Sequence, residues 1–214
     1  GIDPGIPDEV VSGEEFGYRR TARLSVTGDR REIHFGFREE KGKNLVEIDS
    51  CCVLHPDLSA LIPIIRDVLN EISNFKLIGH VELVRADNIT AVMFRCINSL
   101  EPSDLKTLFN FGNKNGVAVY VQTRHEKGKE DLEDWEELDL LNEDILNGEK
   151  GLYYTIDDKR IYFVPGDFIQ VNDEINRLMV SRVMNYLELT ADDRLLDLFC
   201  ALGNVTVPIA SRCE

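Results

Sequence analysis

Two residues in the stretch "DFIQVN" (167–172) could contact a nucleobase. Phe168 and Gln170 are two positions apart, so on an extended segment their side chains would point to the same side. An aromatic ring can stack on a base while an amide hydrogen-bonds the edge of that base. The alternative is that this stretch is a loop entering a helix, with Asn172 as the N-cap.

A second stretch, "RLLDLFCALGNVTVPIA" (194–210), has the pattern of a strand, a glycine turn and a helix. In adenosyl and dinucleotide sites, glycines in such a turn allow backbone donors to approach the ligand, and the helix N-terminus adds a favourable field. Asp197, Cys200, Gly203 and Asn204 would line this turn. A single strand–glycine–helix junction is common, so an ordinary turn without a ligand remains the alternative.

The charge of the chain is unevenly distributed. The net charge is −15, yet residues 16–43 carry eight basic groups against four acidic ones, whereas residues 126–150 carry eleven acidic groups against three lysines. Arg19, Arg20 and Arg23 surround Tyr18 on a predicted strand, and this arrangement would suit phosphate contacts. The alternative is an edge strand whose charges only prevent aggregation.

The cysteine pattern argues against a disulfide framework and against a self-contained zinc site. The five cysteines are odd in number and form no CxxC pair: Cys51, Cys52, Cys96, Cys200 and Cys213. Most of them are expected to be small buried apolar residues. No apolar run approaches the roughly 20 residues of a membrane span, and the start resembles no signal peptide. The sequence therefore predicts a cytoplasmic protein without a membrane segment.

Periodicity predicts an α+β central domain made of antiparallel hairpins and helices. It covers 16–165 after a loose segment at 1–15, with hairpins at 18–39, 76–97 and 151–165 and helices near 56–72 and 101–116. The acidic stretch 125–150 is predicted to be a surface insertion. A second domain, 166–214, is predicted to start with a helix from about Asn172 to Leu189 and a buried strand at 194–199.

Six stretches occur in an order that resembles the RNA uracil-5-methyltransferase family. They are "YRRTARLS", "HFGFRE", "CCVLHPDLSALIP", "GHVELV", "GDFIQVN" and "LLDLFCALGNVTVPIA", and they favour the subgroup of 23S rRNA enzymes that carry an iron–sulfur cluster. The resemblance implies an RNA-binding β-barrel, a central domain with a 4Fe–4S cluster, and a Rossmann-like S-adenosylmethionine domain. It also implies that a cysteine thiolate adds to uracil C6 before C5 takes the methyl group and a base removes the C5 proton.

The resemblance assigns roles to several positions. Phe168 and Gln170 match positions that contact the flipped uracil and the methyl donor, and the 197–204 turn matches the adenosyl-binding turn. Cys51 falls on one cluster ligand, but the other three are not found, so the cluster is expected to be absent here. Neither Cys200 nor Cys213 matches the nucleophile motif, and no catalytic residue is assigned. Ala201 stands where the family has glycine, which would cost about 1 kcal/mol if φ is positive there.

Two functional hypotheses follow from these observations. The chain is either a fragment, truncated at both ends, of an S-adenosylmethionine-dependent 23S rRNA uracil-C5 methyltransferase, or a truncated relative that binds RNA or protein without catalysis. In the first hypothesis, the expected RNA-binding residues are Arg19, Arg20, Arg23 and Arg38. Both predict that this chain alone does not methylate RNA. The strand at 194–199 would lack its usual neighbours, so it is expected to pack on the preceding helix and to form a homodimer.

Overall fold

The computed structural model describes residues 10–29, 32–40, 44–125 and 135–213. A seven-stranded sheet has the order β3-β2-β1-β4-β5-β6-β7, and a separate hairpin is formed by β8 and β9. The strands are β1 Thr21–Gly28, β2 Ile33–Arg38, β3 Leu45–Glu47, β4 Ile78–Arg85, β5 Thr90–Cys96, β6 Ala118–His125, β7 Trp135–Leu140, β8 Leu152–Ile156 and β9 Lys159–Phe163. The helices are α1 Pro56–Glu71, α2 Pro102–Asn115, α3 Asp173–Leu187 and the short α4 Thr206–Ile209.

The three predicted hairpins are confirmed, but the sheet is mixed rather than purely antiparallel. β1 pairs with β2, β4 with β5, and β8 with β9, all antiparallel. β5 and β6 are parallel, because α2 lies between them and returns the chain to the same end of the sheet. As predicted, α2 ends at Gly116, which adopts the left-handed conformation (φ 66°) that glycine tolerates at a helix C-terminus.

One face of the sheet, here called the inner face, packs against α1 and α2. The apolar residues on one side of α1 recur every three or four positions and are buried, namely Leu58, Leu61, Ile62, Ile65, Val68 and Leu69. They join Leu24, Val81 and Phe94 of the sheet in one apolar cluster. Within α2, Gly112 leaves so little space that an added Cβ would lie 2.6 Å from Val119 Cγ2.

The opposite face, here called the outer face, is apolar toward one end and polar toward the other. Met93 and Tyr120 join Tyr154 of β8, Val180 of α3 and Ile209 of α4 in a second apolar cluster. Farther along the strands the same face presents a polar strip, in which Ser25 is paired with His80 and His80 with Arg95 on neighbouring strands. The outer face thus supports the β8–β9 hairpin and α3 at one end, beside a polar strip.

The prediction that 125–150 is only a surface insertion is wrong for its second half. β7 pairs with β6 along the edge of the sheet, and Leu146 is buried. Asn142 anchors the segment, since its side chain accepts a hydrogen bond from Val119 N at 2.8 Å and donates one to Val117 O at 3.0 Å. Residues 126–134 lie outside the described residues, as do residues 1–9 of the predicted loose segment.

The predicted buried strand at 194–199 is also wrong. These residues belong to neither sheet of the described chain, and Leu196, Leu198 and Phe199 are 79%, 68% and 100% exposed. A strand needs a neighbour to satisfy its backbone donors and acceptors, and among the described residues no strand lies beside this segment. Apolar composition alone therefore did not determine its conformation, and the homodimer expected through it stays a prediction.

Among the described residues, no helix is both long enough and apolar enough to cross a membrane.

Candidate functional site

A cavity of about 240 Å³ lies where the 168–170 segment meets the 197–205 turn. Tyr154 of β8 and Met179 of α3 complete its lining. Five of the six residues that the sequence assigned to the methyl donor or uracil line this cavity: Phe168, Gln170, Asp197, Cys200 and Asn204. Two stretches separated by about 30 residues therefore meet at this cavity.

The sixth residue, Gly203, shapes the turn from within. Its φ of 86° is accessible to glycine, its N–H donates to Cys200 O at 2.8 Å, and its carbonyl accepts from Val207 N at 2.9 Å. Ala201, in the same turn, has a φ of 48° although it carries a side chain. A positive φ was the condition under which Ala201 was expected to strain the turn, and Ala201 has one.

Two aromatic rings stand open to solvent at the cavity. Phe168 is 74% exposed and Phe199 is fully exposed, with a φ of 64°. Exposed rings of this kind have free faces on which a base can stack. Sequence reasoning missed Phe199 because it was assigned to the buried strand. It missed Tyr154 because that residue fits the alternation of an ordinary strand.

The polar groups of the turn are already engaged in hydrogen bonds within the chain. Asp197 Oδ2 accepts from the hydroxyl of Thr206 at 2.5 Å. Asn204 and the buried Asn176 of α3 exchange two side-chain hydrogen bonds, at 2.9 and 2.8 Å. Asn176 was also missed, because an asparagine in a helical pattern carries no signal of a partner 28 residues away.

Arg20 does not lie on the RNA-binding surface to which the sequence assigned it. It is 4% exposed, and its guanidinium donates to Gln170 O and to Asp173 Oδ1, both at 2.8 Å. The guanidinium carbon lies 4.8 Å from the centre of the Tyr154 ring. Burial lowers the pKa of Arg20, while the nearby Asp173 raises it. Arg20 therefore contacts one wall of the cavity from behind, and its guanidinium is already paired with Gln170 and Asp173.

The other three arginines of the predicted RNA-binding set are exposed. Arg19 donates to Thr21 O at 2.9 Å, whereas the Arg23 side chain is 52% exposed and lies 3.6 Å from Glu82. Arg23 and Arg38 act electrostatically on His80, and both lower its pKa in addition to the larger effect of burial. The polar strip of the outer face therefore carries positive charge in a chain that is acidic overall.

The described residues do not fit an iron–sulfur cluster. Cys51 is partly buried, and its backbone N–H donates to Ser59 Oγ at 2.9 Å. Within the described ranges, no three His, Cys, Asp or Glu side chains are grouped so that they could hold a metal ion. A 4Fe–4S cluster requires four ligands, so Cys51 alone gives no basis for assigning one.

The sequence model of the tRNA (uracil-5-)-methyltransferase family matches residues 6–214. The chain is 38% identical over 207 residues to the 23S rRNA (uracil(1939)-C(5))-methyltransferase RlmD of Klebsiella pneumoniae (strain 342), covering 96% of this chain and 44% of that protein. The corresponding enzyme of Cronobacter sakazakii is 39% identical over 209 residues, with 97% and 45% covered. The chain thus spans less than half the length of these relatives.

A solved structure shares the fold. It is the Pyrococcus abyssi tRNA (uracil-54, C5)-methyltransferase in complex with S-adenosyl-L-homocysteine, with a TM-score of 0.64 and 22% identity over 94% of this chain and 48% of that one. The family match covers nearly all of the sequence, including both walls of the cavity. The chain therefore belongs to the tRNA (uracil-5-)-methyltransferase family.

Proposed function

We propose that these residues form the RNA-facing and donor-facing part of an S-adenosylmethionine-dependent uracil-C5 methyltransferase that acts on 23S rRNA. The observation that carries the proposal is the cavity, which gathers Phe168 and Gln170 on one wall and Asp197, Cys200 and Asn204 on the other. The 23S rRNA substrate is taken from the relatives, which match at 38% and 39% identity.

Each wall of the cavity has a distinct task in this proposal. The exposed ring of Phe168 stacks on the target base, and the half-buried Gln170 supplies amide donors and acceptors both to the edge of that base and to the methyl donor. The 197–205 turn supports the donor, which when bound supplies an electrophilic methyl group. The cavity volume of about 240 Å³ is below the roughly 300–1,000 Å³ of typical ligand pockets, so it holds part of a nucleoside-sized ligand.

RNA would approach along the exposed arginines, Arg19, Arg23 and Arg38. Because the net charge is −15, attraction to RNA has to be local rather than a property of the whole surface. Each phosphate that these arginines neutralise releases counterions, so the affinity is expected to fall with added salt. Replacing Arg23 with glutamine should lower the slope of log Kd against log salt by about 1.

The proposal assigns binding, not methyl transfer, to these residues by themselves. The family chemistry requires an activated thiolate, and neither Cys200 nor Cys213 matches the segment that carries it. A second candidate, a non-catalytic module that binds RNA or protein, is favoured by one observation, the left-handed Ala201 in the donor turn. If this chain transferred a labelled methyl group from S-adenosylmethionine to a uridine-containing 23S rRNA fragment, the assignment of binding alone would be contradicted.

Titration of S-adenosylhomocysteine into the full chain by calorimetry separates the two candidates. The first predicts saturable binding that weakens about tenfold or more in Phe199→Ala, as expected when an exposed ring of the donor turn can no longer stack on the adenine of the ligand. Phe109→Ala is a matched control, since Phe109 is 40% exposed on α2 and does not line the cavity. Absence of binding, or equal weakening in both variants, would exclude the donor site and leave the binding module.

A further inference from the structure

We propose that Arg20 and Asn176 are positioning residues that hold the two facing walls of the cavity from behind. This inference deepens the proposed function and rests on it for the identity of the ligand. Neither side chain lines the cavity, yet each is hydrogen-bonded to a residue that does. Both are almost fully buried, at 4% and 2% exposure.

Arg20 holds the first wall at several points. Its backbone N–H donates to Val171 O at 2.9 Å, and its Nε donates to Gln170 O at 2.8 Å. Its Nη1 bonds Asp173 Oδ1 at 2.8 Å, and its guanidinium lies over the ring of Tyr154, another residue of the cavity. Displacement of this one side chain would therefore release the backbone of Gln170 and the support of Tyr154 together.

The burial of this cation is costly for a residue that serves packing alone. A buried charge must be stripped of water, and an apolar side chain of similar volume could fill the same space without that cost. Among the described residues, Nη2 of Arg20 has no hydrogen-bond partner, which adds to the penalty. What an apolar side chain could not supply is the directed bond to Gln170 O together with the bond to Asp173.

Asn176 holds the second wall. Its carboxamide both donates to and accepts from that of Asn204, a reciprocal pair that fixes the orientation of both side chains. Asp173, the residue that Arg20 binds, and Asn176 are three positions apart in α3 and so lie on neighbouring parts of one helix face. The first turn of α3 thus connects both walls, and the spacing between them depends on these two side chains.

Two variants of the full chain test this proposal, each with a matched control. Arg20→Lys keeps the positive charge but loses the planar donor pair, and Asn176→Ala removes the amide pair. Arg85→Lys is the control for the first, since Arg85 is a partly buried arginine that pairs with Asp57 and does not line the cavity. Asn142→Ala is the control for the second, because Asn142 is 3% exposed and bonds β6.

Hydrogen exchange of the ligand-free protein is the first measurement. We expect exchange to rise about tenfold or more at 168–172 in Arg20→Lys and at 200–205 in Asn176→Ala, with β4 and β5 unchanged in both. The two controls should leave both segments unchanged. Unchanged or uniformly faster exchange in the two test variants would overturn the proposal. If Arg20→Lys does not fold, Asp173→Ala, which removes the acceptor of Nη1 while Arg20 stays in place, is used instead.

Affinity for S-adenosylhomocysteine is the second measurement, with the thermal midpoint recorded for every variant. Each test variant should bind about tenfold more weakly, the loss expected when a hydrogen bond no longer positions a contacting residue. Asn142→Ala should lower the thermal midpoint and yet keep its affinity within about twofold. If ligand affinity falls in step with the thermal midpoint across all four variants, the losses reflect general destabilisation, and the positioning role is overturned. If the parent chain binds no ligand, the proposed function fails while hydrogen exchange still decides this inference.

Discussion

Ala201 is a position at which removing one methyl group should stabilise the protein. Its φ of 48° lies in the left-handed region, where a residue with Cβ pays about 1–2 kcal/mol. Glycine avoids this cost but gives the unfolded chain more freedom, which takes back about 0.4–1 kcal/mol. The balance predicts that Ala201→Gly raises the free energy of unfolding by about 0.5–1 kcal/mol. For a chain of 214 residues this corresponds to about 1–4 °C in the thermal midpoint.

Urea denaturation followed by circular dichroism measures this difference directly. Ala210→Gly is the control, because Ala210 is also exposed but has a φ of −59°, which alanine adopts without strain. There the same substitution should lower the free energy of unfolding by about 0.4–1 kcal/mol. If Ala201→Gly destabilises the chain as Ala210→Gly does, then the methyl group at 201 is not strained and the reasoning about this turn is refuted.

Three further predictions concern the central sheet. Gly112→Ala should lower the free energy of unfolding, measured in urea, by about 1–2 kcal/mol, because an added Cβ would lie 2.6 Å from Asn142 Nδ2. The higher helix propensity of alanine offsets only part of this overpacking. A variant as stable as the parent would contradict the prediction. The pKa of His80 is lowered by burial from its ordinary 6.5, so the unfolded chain takes up a proton first and stability falls as the pH drops below 6.5. His80→Gln should therefore lose less stability between about pH 7.5 and about pH 5.5, and an unchanged loss would refute the assignment. Burial raises the pKa of Cys96 to about 12, so Cys96→Ser should leave the number of thiols that react rapidly with Ellman's reagent unchanged, whereas Cys52→Ser, at an exposed position, should lower that number by one.

Local patterns were sufficient for the hairpins and the first three helices. The repeat of apolar residues in α1 and the left-handed Gly116 after α2 are signals that neighbouring residues carry by themselves. The β8–β9 turn was likewise readable, since Asp157 and Asp158 both adopt positive φ, as the tight turn of a two-residue hairpin requires. In each case the information lies within one element and its caps.

Features that depend on distant partners could not be predicted in this way. The acidic β7 becomes a strand because β6 offers an edge and Asn142 fixes the segment that follows it, neither of which its composition reveals. Conversely, the apolar stretch at 194–199 remains irregular, because apolar composition supplies no hydrogen-bonding neighbour. For the site, the resemblance named residues that the structure places around one cavity, and their ligand roles stay predictions. It could not show that Arg20 lies behind them, because a charged residue on a strand is usually exposed.

The contacts of Arg20 also constrain the order in which parts of the chain can fold during synthesis. Its two side-chain bonds join residues 150 and 153 positions apart in the chain, so they belong to the most non-local contacts of the fold. At about 5–20 residues per second, a ribosome needs roughly 8–30 s to synthesise the stretch between the two partners. Throughout that interval the guanidinium has neither Gln170 nor Asp173 to bind. The central sheet can assemble during this time, whereas the cavity can form only after residues 168–205 have been synthesised.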